Sequence, residues 1–277
     1  MPGNVTRASA ALLALGALTY TAWVLEVPLR TGLDPVRTYV SELAASDQPF
    51  GTFFRATDLV SGMLVLAGAV LGWAGTGRSG TRGSGHAATP GPGHLATPPA
   101  GRTRRIREPW ALVGWAALAL FGAATVADSR LPLSCAATAD PECAARETAG
   151  LVPATHTAHA VSSGLAMTGA VVALVALTMA ARRHGRRRPL ARTGPVFVAV
   201  ELAATVWTLA AVAAFEAGKG TWALGAGQRL QVLLVAVWLA VLAYSLATSA
   251  SASASASASA SASASASASA SASGEER

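Results

Sequence analysis

The chain has 277 residues, 52% of them hydrophobic and only 13% charged, with 21 basic against 14 acidic side chains and a net charge of +7. A soluble domain is about 25% charged, so much of the charge that solvates a globule is missing, which excludes an ordinary soluble fold. The basic residues lie beside long apolar blocks, so they mark membrane topology and give no reason to expect a nucleic-acid partner.

A bilayer core about 30 Å thick takes roughly 20 apolar residues at about 1.5 Å rise each. The first stretch of that length runs from Ala8 to Leu29. Arg7 precedes it as in a signal peptide, but the apolar block continues past Trp23 and no small-x-small cleavage site follows. It therefore reads as an uncleaved first helix. An acidic loop with Asp34, Glu42 and Asp47 leads to the second stretch, Phe54–Ala74, where Gly62, Gly68 and Gly72 would let neighbouring helices approach closely. Residues 75–101 are rich in Gly, Pro, Thr and Ser and read as a flexible loop in which His86 and His94 are merely solvated. Pro109 opens the third stretch, to Ala127, because its missing N–H would be unpaired there anyway.

A loop with Cys135, Cys143, Asp140, Glu142 and Glu147 precedes the fourth stretch, Ala154–Ala181. Pro195 is expected to open the fifth, to Phe215, and Gln228–Ala247 is the sixth. From Ser249 to Ser273 the chain repeats Ser-Ala. Strict alternation has the period of a strand, yet alanine is a poor strand former and buries too little to offset chain entropy, so the repeat is expected to be disordered.

Arg78, Arg82, Arg102, Arg104, Arg105 and Arg107 separate the second and third stretches; Arg182, Arg183, Arg186, Arg187, Arg188 and Arg192 separate the fourth and fifth. The alternate loops are acidic or balanced, and by the positive-inside rule the arginine-rich loops are cytoplasmic. Trp73, Trp110 and Tyr244 then fall at the inner interface and Trp23 near the outer one. The reading is an all-α, polytopic bundle of six transmembrane helices over residues 1–248, in the cell membrane with both termini cytoplasmic, followed by a disordered tail over residues 249–277. Cys135 and Cys143 then lie outside, where disulfides persist, and Asp140-Pro141 favours a turn that brings them together.

Ionisable groups inside a span are costly and tend to mark a site or a buried partner. Asp58, Asp128, His156, His159 and Glu216 all fall toward the outer face; Glu26 lies one turn from the outer end of the first span, and Glu201 is embedded in the fifth. His156 and His159 share one helix face with Ser163, so both imidazoles would reach one divalent metal such as zinc, with a carboxylate from another helix completing the site. The plainer reading pairs the histidines with nearby acids, Asp58 with Arg55, and Asp128 with Arg130.

The first outer loop carries Val40-Ser41-Glu42-Leu43, and Arg55-Ala56-Thr57-Asp58 enters the second helix. With the acid that ends helix three, the cysteine-bearing loop and His156-Thr157-Ala158-His159, this pattern resembles a family of six-helix bacterial membrane proteins of unknown function. The likeness covers about residues 10–245; the family's histidine motif has one more residue between the histidines than this chain does. A more distant resemblance, resting on the Ser-acid motif alone, is to the damage-regulated autophagy modulators and their lipid-remodelling relatives. Neither resemblance implies a reaction.

Three functions follow from the residues. In the first, an enzyme acts on a membrane lipid: His156 and His159 hold a metal that activates water, Ser41 or Ser163 orients the substrate, and Asp58 or Asp128 is the general base. Ser41, Glu42, Asp58 and Asp128 are its candidate catalytic residues. In the second, Glu201 and the outer acid–histidine cluster relay protons through a transporter. In the third, a scaffold or sensor, these groups only satisfy one another.

Overall fold

A computed structural model describes residues 2–78, 108–184 and 189–274, with the backbone alone for residues 2, 76–78, 184 and 264–274. The regular structure among these residues is helical: α1 (Pro2–Tyr20), α2 (Glu26–Leu29), α3 (Gly51–Arg78), α4 (Pro109–Asp128), α5 (Pro141–Thr148), α6 (Ala154–His184), α7 (Pro189–Glu216) and α8 (Leu224–Gly274), with single 3-10 turns at Ala22–Leu25 and Val40–Ala44. Six segments are long and apolar enough to cross a membrane: Gly3–Leu29, Gly51–Gly75, Pro109–Asp128, Ala154–Arg183, Pro189–Glu216 and Leu224–Ser263. His86, His94, most of the loop over residues 75–101 and eight of the twelve loop arginines lie outside the described residues.

The long helices close into a ring in which α1 touches α3, α3 touches α4, α4 touches α6, α6 touches α7, α7 touches α8, and α8 returns to α1. Leu13, Val65, Trp115, Leu118, Phe121, Leu174, Val235, Trp238 and Leu239 fill its centre. Small residues set the spacing, since lipid offers helices no hydrophobic drive to associate and close packing must supply it. A Cβ at Gly62 would lie 2.8 Å from the Gly122 carbonyl oxygen, and one at Gly169 would lie 2.8 Å from the Phe121 amide nitrogen. The α3–α4 and α4–α6 contacts are thus backbone on backbone.

Three expectations change. Helix α7 begins at Pro189, with Pro195 inside it, so Pro189 is the proline that occupies the free N-terminal position. The first span is broken: α1 ends at Tyr20, a 3-10 turn intervenes, and α2 closes on Arg30 in the left-handed conformation, φ 52°. The Ser-Ala repeat, expected to be disordered, is helical as far as Gly274. Alanine is the best helix former, the preceding span has already met the nucleation cost, and serine hydroxyls bond back along the helix, as Ser257 does to the Ser253 carbonyl at 2.8 Å. Residues 251–263 are exposed all round, so this helix is held by propensity and not by packing.

The end of the bundle that carries residues 30–50, 129–153 and 217–223 also carries a bond between Cys135 and Cys143, whose Cα atoms are 6.0 Å apart. It is called the disulfide end below.

Candidate functional site

The disulfide end is tied together by side chains that the chain supplies from distant positions. Arg229, near the start of α8, grips Glu26 with two parallel bonds, Nε to Oε1 at 2.7 Å and Nη2 to Oε2 at 2.6 Å. Both side chains are buried, and the Arg229 Nη1 donates to the Thr38 carbonyl at 2.8 Å. A planar guanidinium matches a carboxylate in this forked geometry, which suits arginine and not lysine. Gln228 accepts from the Val40 amide at 2.8 Å, so the start of α8 holds both flanks of the first loop.

The Val40–Leu43 motif is a latch. Glu42 is fully buried; its carboxylate accepts from the Thr138 amide at 2.7 Å, from the Thr138 hydroxyl, and from the Tyr39 amide at 3.0 Å. Burial pushes its carboxyl above the ordinary glutamate range, and the three hydrogen bonds offset part of that rise. Ser46 donates to the Leu133 carbonyl at 2.8 Å, a second bond between the first and third loops. Arg55 donates to the carbonyls of Ala44 at 2.7 Å and Ala45 at 3.4 Å and to the Thr52 hydroxyl at 3.0 Å. It therefore anchors the end of the latch and does not pair with Asp58.

These clamps frame a cavity of about 650 Å³. Ser41, Glu42, Asp58, Asp128, His156 and His159 all line it, as does Cys135, whereas Glu26 and Glu201 are not among its lining residues. Asp58 makes no hydrogen bond or ion pair among the described residues. Asp128 accepts from the hydroxyls of Ser162 and Ser163, the latter at 2.8 Å, and its Oδ1 lies 3.2 Å from the His159 Nδ1. The proposed pairing of Asp128 with Arg130 is therefore replaced by one with α6.

The two histidines take up opposite tautomers. The His156 Nδ1 accepts from the Ser134 amide at 3.1 Å, which leaves the proton on Nε2, 3.4 Å from Glu147 Oε1. The His159 Nδ1 faces two acceptors, the Leu131 carbonyl at 2.8 Å and Asp128, and so carries the proton. Its Nε2 is left as an acceptor 3.3 Å from the Ser163 hydroxyl.

These engagements count against the expected metal. Among the described residues no three of His, Cys, Asp and Glu gather in a geometry that would hold an ion. Although His156 and His159 share a helix face, each finds its own partners on different parts of the loop over residues 129–153. Glu42 is held as a structural clamp, with one donor on Oε1 and two on Oε2. Arg229, Gln228 and Thr138 were missed by sequence reasoning. An arginine embedded at the start of an apolar span, at the same depth as Glu26, was the available signal for the first of them.

The cavity's lining also includes residues with exposed surface, Gly164, Thr168 and Val172 of α6 and Leu209 of α7. The cavity therefore reaches the lateral surface between these two helices, within the length of their spans. Its carboxyl groups are Glu42, Asp58, Asp128, Glu147 and Glu216, and no lysine or arginine lines it among the described residues.

Six membrane-length helices closed around a largely apolar chamber that holds one polar cluster define a multi-pass α-helical membrane protein. The chain belongs to the DUF998 family, a protein family of unknown function, whose profile matches residues 13–89 and 94–245. That match takes in part of every span and leaves the Ser-Ala repeat outside. No curated protein and no solved structure matches the chain.

Proposed function

We propose that this protein binds a membrane lipid in the cavity, with the headgroup at the acid–histidine cluster and an acyl chain passing out between α6 and α7. The observation that carries this reading is the cavity itself. One continuous space joins a buried polar cluster to side chains exposed at membrane depth, and about 650 Å³ is of the size that holds a small amphiphile. Five carboxyl groups without a basic side chain favour a headgroup that donates hydrogen bonds, an amine or a set of hydroxyls, over a bare phosphate. The arginine distribution supports placing the disulfide end outside the cell, so the lipid would come from the outer leaflet of the cell membrane. Photo-crosslinking tests the reading: a lipid with a diazirine on its acyl chain should label α6 and α7 near Thr168 and Leu209. Thr168→Trp, which fills the opening, should abolish that labelling. Labelling spread evenly over all lipid-facing helices would refute it.

A second reading, proton-coupled transport, draws on Glu201. Its carboxyl is buried in α7 beside the Gln231 side chain, and neither oxygen has a partner at hydrogen-bond geometry among the described residues. Proton flux into proteoliposomes that is lost in Glu201→Gln would favour transport over simple lipid binding.

A further inference from the structure

We infer that Ser163, His159 and Asp128 form an acyl-transfer triad within this cavity, acting on the carboxylic ester of a bound lipid. The inference rests on the lipid-binding reading above and adds a reaction to it. The three side chains stand in functional order: the Ser163 Oγ lies 3.3 Å from the His159 Nε2, and the His159 Nδ1 lies 3.2 Å from Asp128 Oδ1. A serine hydroxyl is a weak nucleophile unless a neighbouring base takes its proton, and a base is useful only in the right tautomer. Here the tautomer is fixed independently of the serine. Leu131 and Asp128 both present acceptors to Nδ1, so Nδ1 holds the proton and Nε2 keeps its lone pair toward Ser163.

Each element of the arrangement has a reason in the fold. His159 and Ser163 are one turn apart on α6 and so share a face. Asp128 ends α4, which packs along α6 through the close contact at Gly169, and this brings the carboxylate to both side chains. Ser163, His159 and Asp128 all line the cavity, so a bound ester can reach the hydroxyl. In the resting arrangement the Ser163 hydroxyl donates to Asp128 Oδ2 at 2.8 Å. Turning its hydrogen from Oδ2 to the His159 Nε2 moves no heavy atom. Tyr20 lines the same cavity, its ring packed edge-on against Phe121.

The steps balance without a further reagent beyond water. Ser163 Oγ attacks the ester carbonyl carbon as its proton passes to His159 Nε2; the C–O bond to the alcohol breaks, and that proton leaves with the alcohol. Water, deprotonated by His159, then attacks the acyl-serine. The fatty acid is released and the serine regains its proton. Asp128 accepts the Ser163 hydroxyl in the resting arrangement and, once that proton has passed to His159, acts as a positioning residue that holds the protonated imidazole.

The test uses the full chain in lipid nanodiscs with an alkyl fluorophosphonate, a reagent that phosphonylates activated serines. Mass spectrometry should find one adduct, on Ser163. Ser163→Ala should remove it. His159→Gln should slow it by about 10²-fold or more, the usual worth of a positioned base. Asp128→Asn should slow it and alter its pH profile, which a purely structural carboxylate would not do. Ser129→Ala, a buried hydroxyl outside the cavity, should leave it unchanged. The diazirine lipid is cross-linked to the same samples. Wild-type protein that cross-links the lipid between α6 and α7 but gives no Ser163 adduct overturns the triad and leaves the lipid site standing. Wild-type protein that fails to cross-link there overturns the lipid site itself.

Discussion

Arg229 offers the sharpest test of how the disulfide end is held. Arg229→Met keeps much of the side-chain volume and removes the guanidinium, leaving the Glu26 carboxylate buried without its two bonds at 2.7 and 2.6 Å and the Thr38 carbonyl without its donor. Breaking a buried pair from one side costs about 3–5 kcal/mol, because an uncompensated charge remains. Replacing both partners, as Glu26→Leu with Arg229→Met, removes that charge and should recover most of the loss. A residual deficit of about 1–3 kcal/mol is expected for the orphaned Thr38 carbonyl. The assay is a double-mutant cycle on detergent-solubilised protein, with stability read from denaturant titration or thermal unfolding. The single variant should be the least stable of the four proteins, with a coupling between the two sites of at least 2 kcal/mol or so. An Arg229→Met protein within about 0.5 kcal/mol of wild type would show that the ion pair does not hold the first loop to α8.

Glu42 predicts a pH dependence with a definite sign. Its folded-state carboxyl is raised above the ordinary value, so its stabilising contribution is complete at low pH and is lost as pH climbs through the raised value. The stability of wild type relative to Glu42→Gln should therefore fall as pH rises past the ordinary glutamate range; a difference that grows instead would reverse the assignment. Reducing the Cys135–Cys143 bond, which closes a loop of sequence separation 8, should cost about 2.5 kcal/mol in the chain-entropy model. The loss would appear as a lower melting temperature with reductant, and two alkylatable thiols in freshly isolated native protein would show the bond is absent. At Gly62, alanine would set a Cβ 2.8 Å from the Gly122 carbonyl oxygen and the Val126 amide nitrogen, so Gly62→Ala should lose about 1–3 kcal/mol and fold less completely. Unchanged melting behaviour would show that α3 and α4 are not held backbone to backbone.

The parts of the fold that the sequence made legible are those governed by local composition. A span needs length and hydropathy, both properties of a contiguous window, and the six membrane-length helices fall where the apolar blocks lie. Asp58, Asp128, His156 and His159 stood out for the same reason, as polar groups within those blocks, and the common cavity follows from all four lying near one end of their helices. What escaped was pairing across long separations. Nothing near Glu42 points to Thr138, and nothing near Glu26 points to Arg229, because these bonds are created by the closure of the ring. Local geometry also overrode type: Arg55 is one turn from Asp58, yet its guanidinium takes the open carbonyls of Ala44 and Ala45. The Ser-Ala repeat is helical although it buries almost nothing, because the helix propensity of alanine and an existing helix to extend outweigh the missing burial.

The central claim is that the cavity at the disulfide end receives a membrane lipid through the gap between α6 and α7. Cryo-electron microscopy of the full chain in nanodiscs of native lipid tests it most directly. Continuous acyl-chain density should pass Leu209 and Thr168 and end in a headgroup beside Asp128 and His159. Helices α6 and α7 closed against each other along Thr168 and Leu209, with lipid only around the outer surface of the bundle, would contradict it.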